Sequence, residues 1–255
     1  MSIPVPYLSD EVIERDAAAL LAEYAHARGV TIEPPIPIED IVEKHLKLRV
    51  EFDDTHKLFG IPRDPECDTD ILGAIFFDEA RIVIDEGLDP EENPTMEGRY
   101  RFTLAHEGGG HWRLHRHLFA KDPAPSALFS GSAASVVCRS SQAKKRVEWQ
   151  ADFYASCLLM PRKLVMQAWR DRFGNLRPFV FAWERSSWFN PCLQIDGQEV
   201  TDKNVHVLAD FDFREIAQPF AYRFKVSVQA MCIRLEKLEL LLRAEPQQRT
   251  LSEFV

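Results

Sequence analysis

The chain has 255 residues, 45% apolar and 28% charged, with a formal net charge of −9. That composition is globular, and the length suffices for one large core or for a main domain with an appendage. The acidic balance weighs against nucleic acid or anionic lipid as a generic partner, because like charges repel on approach. No apolar run nears the roughly 18–20 residues that a membrane span requires. The start, Met1-Ser2-Ile3-Pro4, has neither a basic nor an apolar leader segment, so a cytoplasmic protein is expected. Five scattered cysteines without C-x-x-C spacing read as free thiols in a reducing compartment.

The first predicted element is a helix over residues 9–28. Ser9 stands at its N-cap, Asp10 and Glu11 lie in its first turn, and Val12, Ile13, Leu20, Leu21 and Tyr24 form an apolar stripe. Pro34, Pro35 and Pro37 break the chain before a short helix over 38–45. Leu46, Leu48, Val50 and Phe52 then alternate with polar residues, the period of a half-buried strand. A polar loop precedes an antiparallel hairpin, 71–77 and 81–85, around the turn Asp78-Glu79-Ala80. A long helix over 95–118 carries four histidines, and residues 120–142, rich in Ala, Ser and Pro, read as a loop. Another helix spans 146–160, with Pro161 placed to open the next. The aromatic stretch 171–205 yields no pattern, and 213–243 is helical.

Chemistry concentrates in the third helix. His106, His111, His115 and His117 fall within twelve residues, and Glu107 stands beside the first. A zinc peptidase needs two imidazoles on one helix face and a carboxylate beside the first, which removes a proton from water. The helix over 146–160 carries Glu148 and Asp152 one turn apart. Two acids at that spacing repel on a free helix. They make sense if Glu148 binds a cation and Asp152 accepts a hydrogen bond from a ligating imidazole. A solvated helix face is the alternative, but Val147, Trp149, Ala151, Phe153 and Ala155 make this helix mostly apolar.

These residues resemble the core of the ImmA/IrrE metallopeptidases. The run from Arg99 through Leu104-Ala105-His106-Glu107 to His111-Trp112 and Leu114-His115 carries the likeness. So does Glu148-Trp149-Gln150-Ala151-Asp152-Phe153-Tyr154-Ala155 with Leu158-Leu159-Met160-Pro161, and more weakly Phe224–Val228 with Arg234, Leu235 and Leu238. The resemblance covers about 35–165 and 213–242. It implies an α+β, zincin-like fold, His106, His111 and Glu148 as zinc ligands, and Glu107 as general base. It also implies an intracellular protease that cleaves a transcriptional repressor.

One feature departs from the family. Its motif is H-E-x-x-H, whereas Gly108, Gly109 and Gly110 here make H-E-x-x-x-H. On a regular α-helix, five residues leave the second histidine about 140° from the first, so the two could not share an ion. A π-bulge would realign them, and three glycines would not obstruct it. Alternatively His111 and His115, at i and i+4, are the ligands, which leaves Glu107 out of register and Trp112 where the base should stand. Or the metal site is lost, and the chain is a pseudoenzyme that binds its regulator without cutting it. His115, His117 and Tyr154 are candidate oxyanion donors.

Three segments follow: a metallopeptidase domain over 1–170, an unassigned insertion over 171–205, and a helical, HTH-like segment over 206–255. A DNA-binding role for the last is disfavoured. Over 210–245, Asp210, Asp212, Glu215, Glu236, Glu239 and Glu245 are matched by Arg214, Arg223, Lys225, Arg234, Lys237 and Arg243, so the segment lacks a basic footprint.

Overall fold

Helix α1 (Asp10–Arg28) ends at Gly29, whose φ of 66° places it in the left-handed region where a residue without Cβ is unstrained. Its buried stripe is Ile13, Ala17, Leu20, Leu21 and Tyr24, and Val12 points outward. The computed structural model describes residues 5–60, 71–119, 136–139, 146–182, 194–195, 198–199, 206–208 and 213–244. Within them the architecture is α+β. Two compact units make it up: Met1–Leu164 with Arg223–Ser227, and Val165–Tyr222 with Val228–Val255. The first boundary falls inside a helix, a few residues before the 170 that the sequence suggested.

In the first unit β1 (Arg49–Asp53), β2 (Ile71–Phe76), β3 (Arg81–Asp85) and β4 (Val136–Arg139) form a sheet in the order β1-β3-β2-β4. Strands β2 (Ile71–Phe76) and β3 (Arg81–Asp85) form the expected hairpin, with Ile75 opposite Ile82. The sheet is mixed rather than antiparallel, because β1 (Arg49–Asp53) pairs parallel to β3. The chain between β1 and β2 carries a short helix, α2 (Thr55–Phe59), capped by the Asp54 carboxylate and placed where a loop was expected. Its Phe59 packs on Ala74, Phe76 and Val83, which share one face of the sheet. A second correction concerns 120–142: residues 136–139 form β4 (Val136–Arg139), antiparallel to β2. The rest of that stretch lies outside the described residues.

The other face of the sheet is covered by the long histidine helix. It opens as α3 (Glu97–Leu104), becomes a π-helix from Ala105 to His115, and ends as α4 (Arg116–Phe119). The short helix over 38–45 is also π-wound, from Asp40 to His45. Beyond it lies α5 (Arg146–Leu159), packed on both α1 and the π-helix through Ala151, Tyr154, Ala155 and Leu158.

In the second unit, α6 (Arg162–Phe173) supplies Trp169, which is fully buried against Phe173, Phe179 and Phe220. Strand β5 (Phe179–Ala182) lies between β8 (His206–Leu208) and β9 (Leu241–Ala244), parallel to both. Strands β6 (Gln194–Ile195) and β7 (Gln198–Glu199) form a separate pair. Helices α7 (Phe213–Phe224) and α8 (Val228–Lys237) fill the expected helical segment, but its end, from Leu241, is strand. Trp183, Trp188 and Phe189 lie outside the described residues.

Candidate metal centre

Two hydrogen-bond registers were open to residues 105–115, and the chain adopts the wider one. Across all eleven residues the backbone winds with i→i+5 bonds, so His106 and His111 return to one side of the helix. The glycines permit this by close approach as much as by lack of obstruction. A Cβ on Gly110 would stand 2.6 Å from Ala151 Cα, and one on Gly109 would meet Leu158 at 2.9 Å. On the opposite side, a Cβ on Gly108 would stand 2.6 Å from a Val42 methyl. The π-helix is therefore wedged between α5 and the sheet side of the unit. That wedge carries the histidines to Glu148.

His106, His111 and Glu148 form a buried group that could hold a metal ion, with one ligand atom from each within 4.8 Å of the others. Glu148 Oε2 lies 3.3 Å from His106 Nε2 and 3.6 Å from His111 Nε2. Four ligands arranged tetrahedrally at about 2.0–2.1 Å from an ion stand about 3.3–3.4 Å apart. The two Glu148 contacts lie near that spacing, so the three residues could hold a metal ion. His111 Nε2 is buried with no hydrogen-bond partner among the described residues, the condition expected of a lone pair kept for a ligand. Burial pulls the His111 pKa down to about 3, so the ring stays neutral and able to ligate. Burial alone would raise Glu148, yet the two imidazoles facing it hold its carboxyl down, to about 2.

Around this group the rings are anchored. His106 Nδ1 lies 2.8 Å from Asp152 Oδ1, so the carboxylate accepts from Nδ1–H and Nε2 is turned towards Glu148. His111 Nδ1 lies 3.1 Å from His115 Nδ1, and His115 Nε2 lies 2.9 Å from Gln150 Oε1. His115 is thus buried behind His111 and absent from the three-residue group, while His117 is exposed. The Tyr154 hydroxyl donates to Asp16 Oδ1 at 2.9 Å. Of the three oxyanion candidates, two are engaged elsewhere and the third faces solvent.

Glu107 sits beside the group and is not part of it. It is wholly buried, and neither carboxylate oxygen has a hydrogen-bond partner among the described residues. Burial pushes its pKa up to about 8, against the opposing pull of His106. Room for the carboxylate comes from the sheet: a Cβ on Gly73 of β2 would stand 3.4 Å from Glu107 Oε1 and 2.8 Å from a Thr103 methyl. Gln150 and Gly73 escaped the reading of the sequence. A lone amide in an apolar helix was the only signal for the first, and nothing signalled the second.

No protein-family model matches the chain, and no curated protein matches it. A solved structure of a Mycobacterium tuberculosis transcriptional regulator is similar across 94% of this chain, at 13% identity and a TM-score of 0.40. The chain spans 49% of that protein's length. So distant a likeness does not bear on what the site does. No described helix is long and apolar enough to cross a membrane.

Proposed function

We propose that this protein is a zinc-dependent endopeptidase with a zincin-like fold, acting in the cytoplasm on a transcriptional repressor or similar regulatory protein. One observation carries the reading: the i→i+5 winding that sets His106 and His111 against Glu148, with the Glu107 carboxyl, which has no hydrogen-bond partner among the described residues, alongside. His106, His111 and Glu148 would hold the ion. When bound, zinc supplies Lewis acidity and shifts the acidity of water towards neutrality.

The chain's own residues supply the rest. Asp152 accepts from His106 Nδ1–H and so leaves the Nε2 of that ring bare. Glu107 takes a proton from the attacking water at one of its carboxylate oxygens. It then delivers that proton to the leaving amine as the amide C–N bond breaks. A divalent cation held beside Glu107 would favour its ionised form. An extended peptide substrate is read as pairing with a free strand edge. The α7–α8 segment is read as an HTH-like appendage that recognises protein rather than DNA.

Elemental analysis of the purified protein and of a Gly109 deletion tests the reading. About one zinc per chain in the natural sequence supports it, and cleavage of a co-encoded repressor is then expected. Zinc only in the deletion would favour a metal-free module that binds the regulator without cutting it.

A further inference from the structure

Behind His111 runs a hydrogen-bonded chain that the metal group does not itself require. It passes from His111 Nδ1 to His115 Nδ1 at 3.1 Å, and from His115 Nε2 to Gln150 Oε1 at 2.9 Å. It then passes from Gln150 Nε2 to the carbonyl oxygen of Pro6 at 2.8 Å. His111, His115 and Gln150 are all buried, and the atoms that link them satisfy one another within the protein. Such a chain has a direction only if one end is fixed. Here the end is fixed, because a backbone carbonyl can only accept.

The direction then propagates. Pro6 requires the amide nitrogen of Gln150 to face it, which turns Oε1 towards His115. An amide oxygen only accepts, so His115 carries its proton on Nε2. His115 Nδ1 is therefore a bare lone pair, and the short contact at 3.1 Å requires a proton on His111 Nδ1. A neutral imidazole carries one proton, and the contact with His115 places it on Nδ1. Its Nε2 is left bare, facing Glu148.

We infer that His115 and Gln150 are positioning residues: tied to the Pro6 carbonyl, they fix the tautomer and ring orientation of His111, so that Nε2 is presented as a ligand. The two anchors of the site are then of different kinds. His106 is oriented directly by the carboxylate of Asp152, which is itself partly exposed. His111 is oriented by a neutral relay three groups long that ends on the segment preceding α1. A neutral relay polarises the ring less than a carboxylate does. Its contribution is orientation, and it needs no further buried charge beside Glu148.

The inference deepens the metal-site reading and can fail separately from it. Long-range proton–nitrogen NMR on the metal-free protein reads the tautomers without any substitution. Protonation of His111 at Nδ1 and of His115 at Nε2 is expected, and a proton on His115 Nδ1 would overturn the relay whether or not zinc binds. Zinc affinity, measured by competition with a chromophoric chelator, is the second readout. His115→Phe keeps a ring in the space but offers no acceptor, and affinity should fall about 10- to 100-fold. His115→Asn keeps an acceptor near the Nδ1 position and should stay near the natural affinity. If packing alone mattered, the order would reverse, and an unchanged affinity in His115→Phe would likewise sink the proposal. A natural protein that shows the expected tautomers but binds no zinc would support the relay and overturn the metal reading.

Discussion

The two units bury comparable helices around very different cores. In the second unit Trp169 stacks on Phe220 and meets Phe173 and Phe179, an apolar cluster whose only polar demand, the indole N–H, is met by the Arg177 carbonyl. In the first unit α5 and the π-helix meet over His106, Glu107, His111, His115, Glu148 and Gln150, all buried. An aromatic core stabilises by area removed from water. A core of carboxyls and imidazoles costs free energy unless each group is partnered. Among the described residues the first unit leaves the Glu107 carboxyl without a hydrogen-bond partner and holds three ligand atoms within reach of one ion. The contrast separates a core built for stability from one built for a site, and it can be broken at either end.

The largest effect should come from Glu107→Gln. A residue acting as general base contributes about 10²- to 10⁴-fold, so cleavage should fall by that factor while zinc content stays unchanged. Because burial already holds this carboxyl at about 8, a neutral amide of the same shape should leave the melting temperature nearly unmoved. Loss of zinc or of fold in this variant would place Glu107 among the structural groups. The opposite signature is expected of Trp169→Ala. Emptying a fully buried indole site should cost about 3–5 kcal/mol in chemical denaturation, with zinc affinity retained. A matching loss of affinity would mean that the two cores are not separable.

Zinc itself sharpens the comparison. At free zinc about 100-fold above its dissociation constant, a ligand specific to the native state adds about 2.7 kcal/mol of stability. Differential scanning calorimetry with and without chelator should show that rise in the natural sequence. Gly110→Ala should follow at about 1–3 kcal/mol of destabilisation. Its methyl would fall 2.6 Å from Ala151 Cα, where relief requires backbone movement. Because that movement separates the π-helix from α5, zinc affinity should weaken with it. A stable variant of unchanged affinity would show that the glycines serve the winding alone.

Much of the first unit was legible because its signals are local. The β2–β3 hairpin follows from two apolar runs around a turn, and the Glu148–Asp152 spacing placed both acids on one face of α5. What was not legible depends on distant partners. Val136–Arg139 becomes a strand only because β2 offers an edge, and Leu241–Ala244 leaves the helical pattern because β5 does. The π-winding is a choice of hydrogen-bond register, and apolar periodicity does not encode register over a stretch with three glycines. The spacing of His106 and His111 required some departure from the α-helix if they were to share an ion. It did not foretell eleven residues of it, nor that Gly110 would be pressed against Ala151.

The smallest effect tests how α1 is held to the site. The Tyr154 hydroxyl donates to Asp16, which also accepts from Arg113 Nε at 3.2 Å. Tyr154→Phe therefore removes one hydrogen bond and leaves Asp16 partnered, at a cost of about 0.5–1.5 kcal/mol near neutral pH. Burial, reinforced by Asp16, raises the Tyr154 pKa above its ordinary value. The unfolded chain then gives up its phenolic proton first, from about pH 10. The stability conferred by the protonated phenol is fully present below that pH and drains away as pH climbs towards the folded value. Tyr100, raised by burial in the same direction, contributes to the same loss. Denaturation from pH 8 upward should show stability falling above about pH 10, less steeply in Tyr154→Phe than in the natural sequence. Equal slopes would mean that Tyr154 ionises as easily folded as unfolded, and that the polar side of this core is open to solvent.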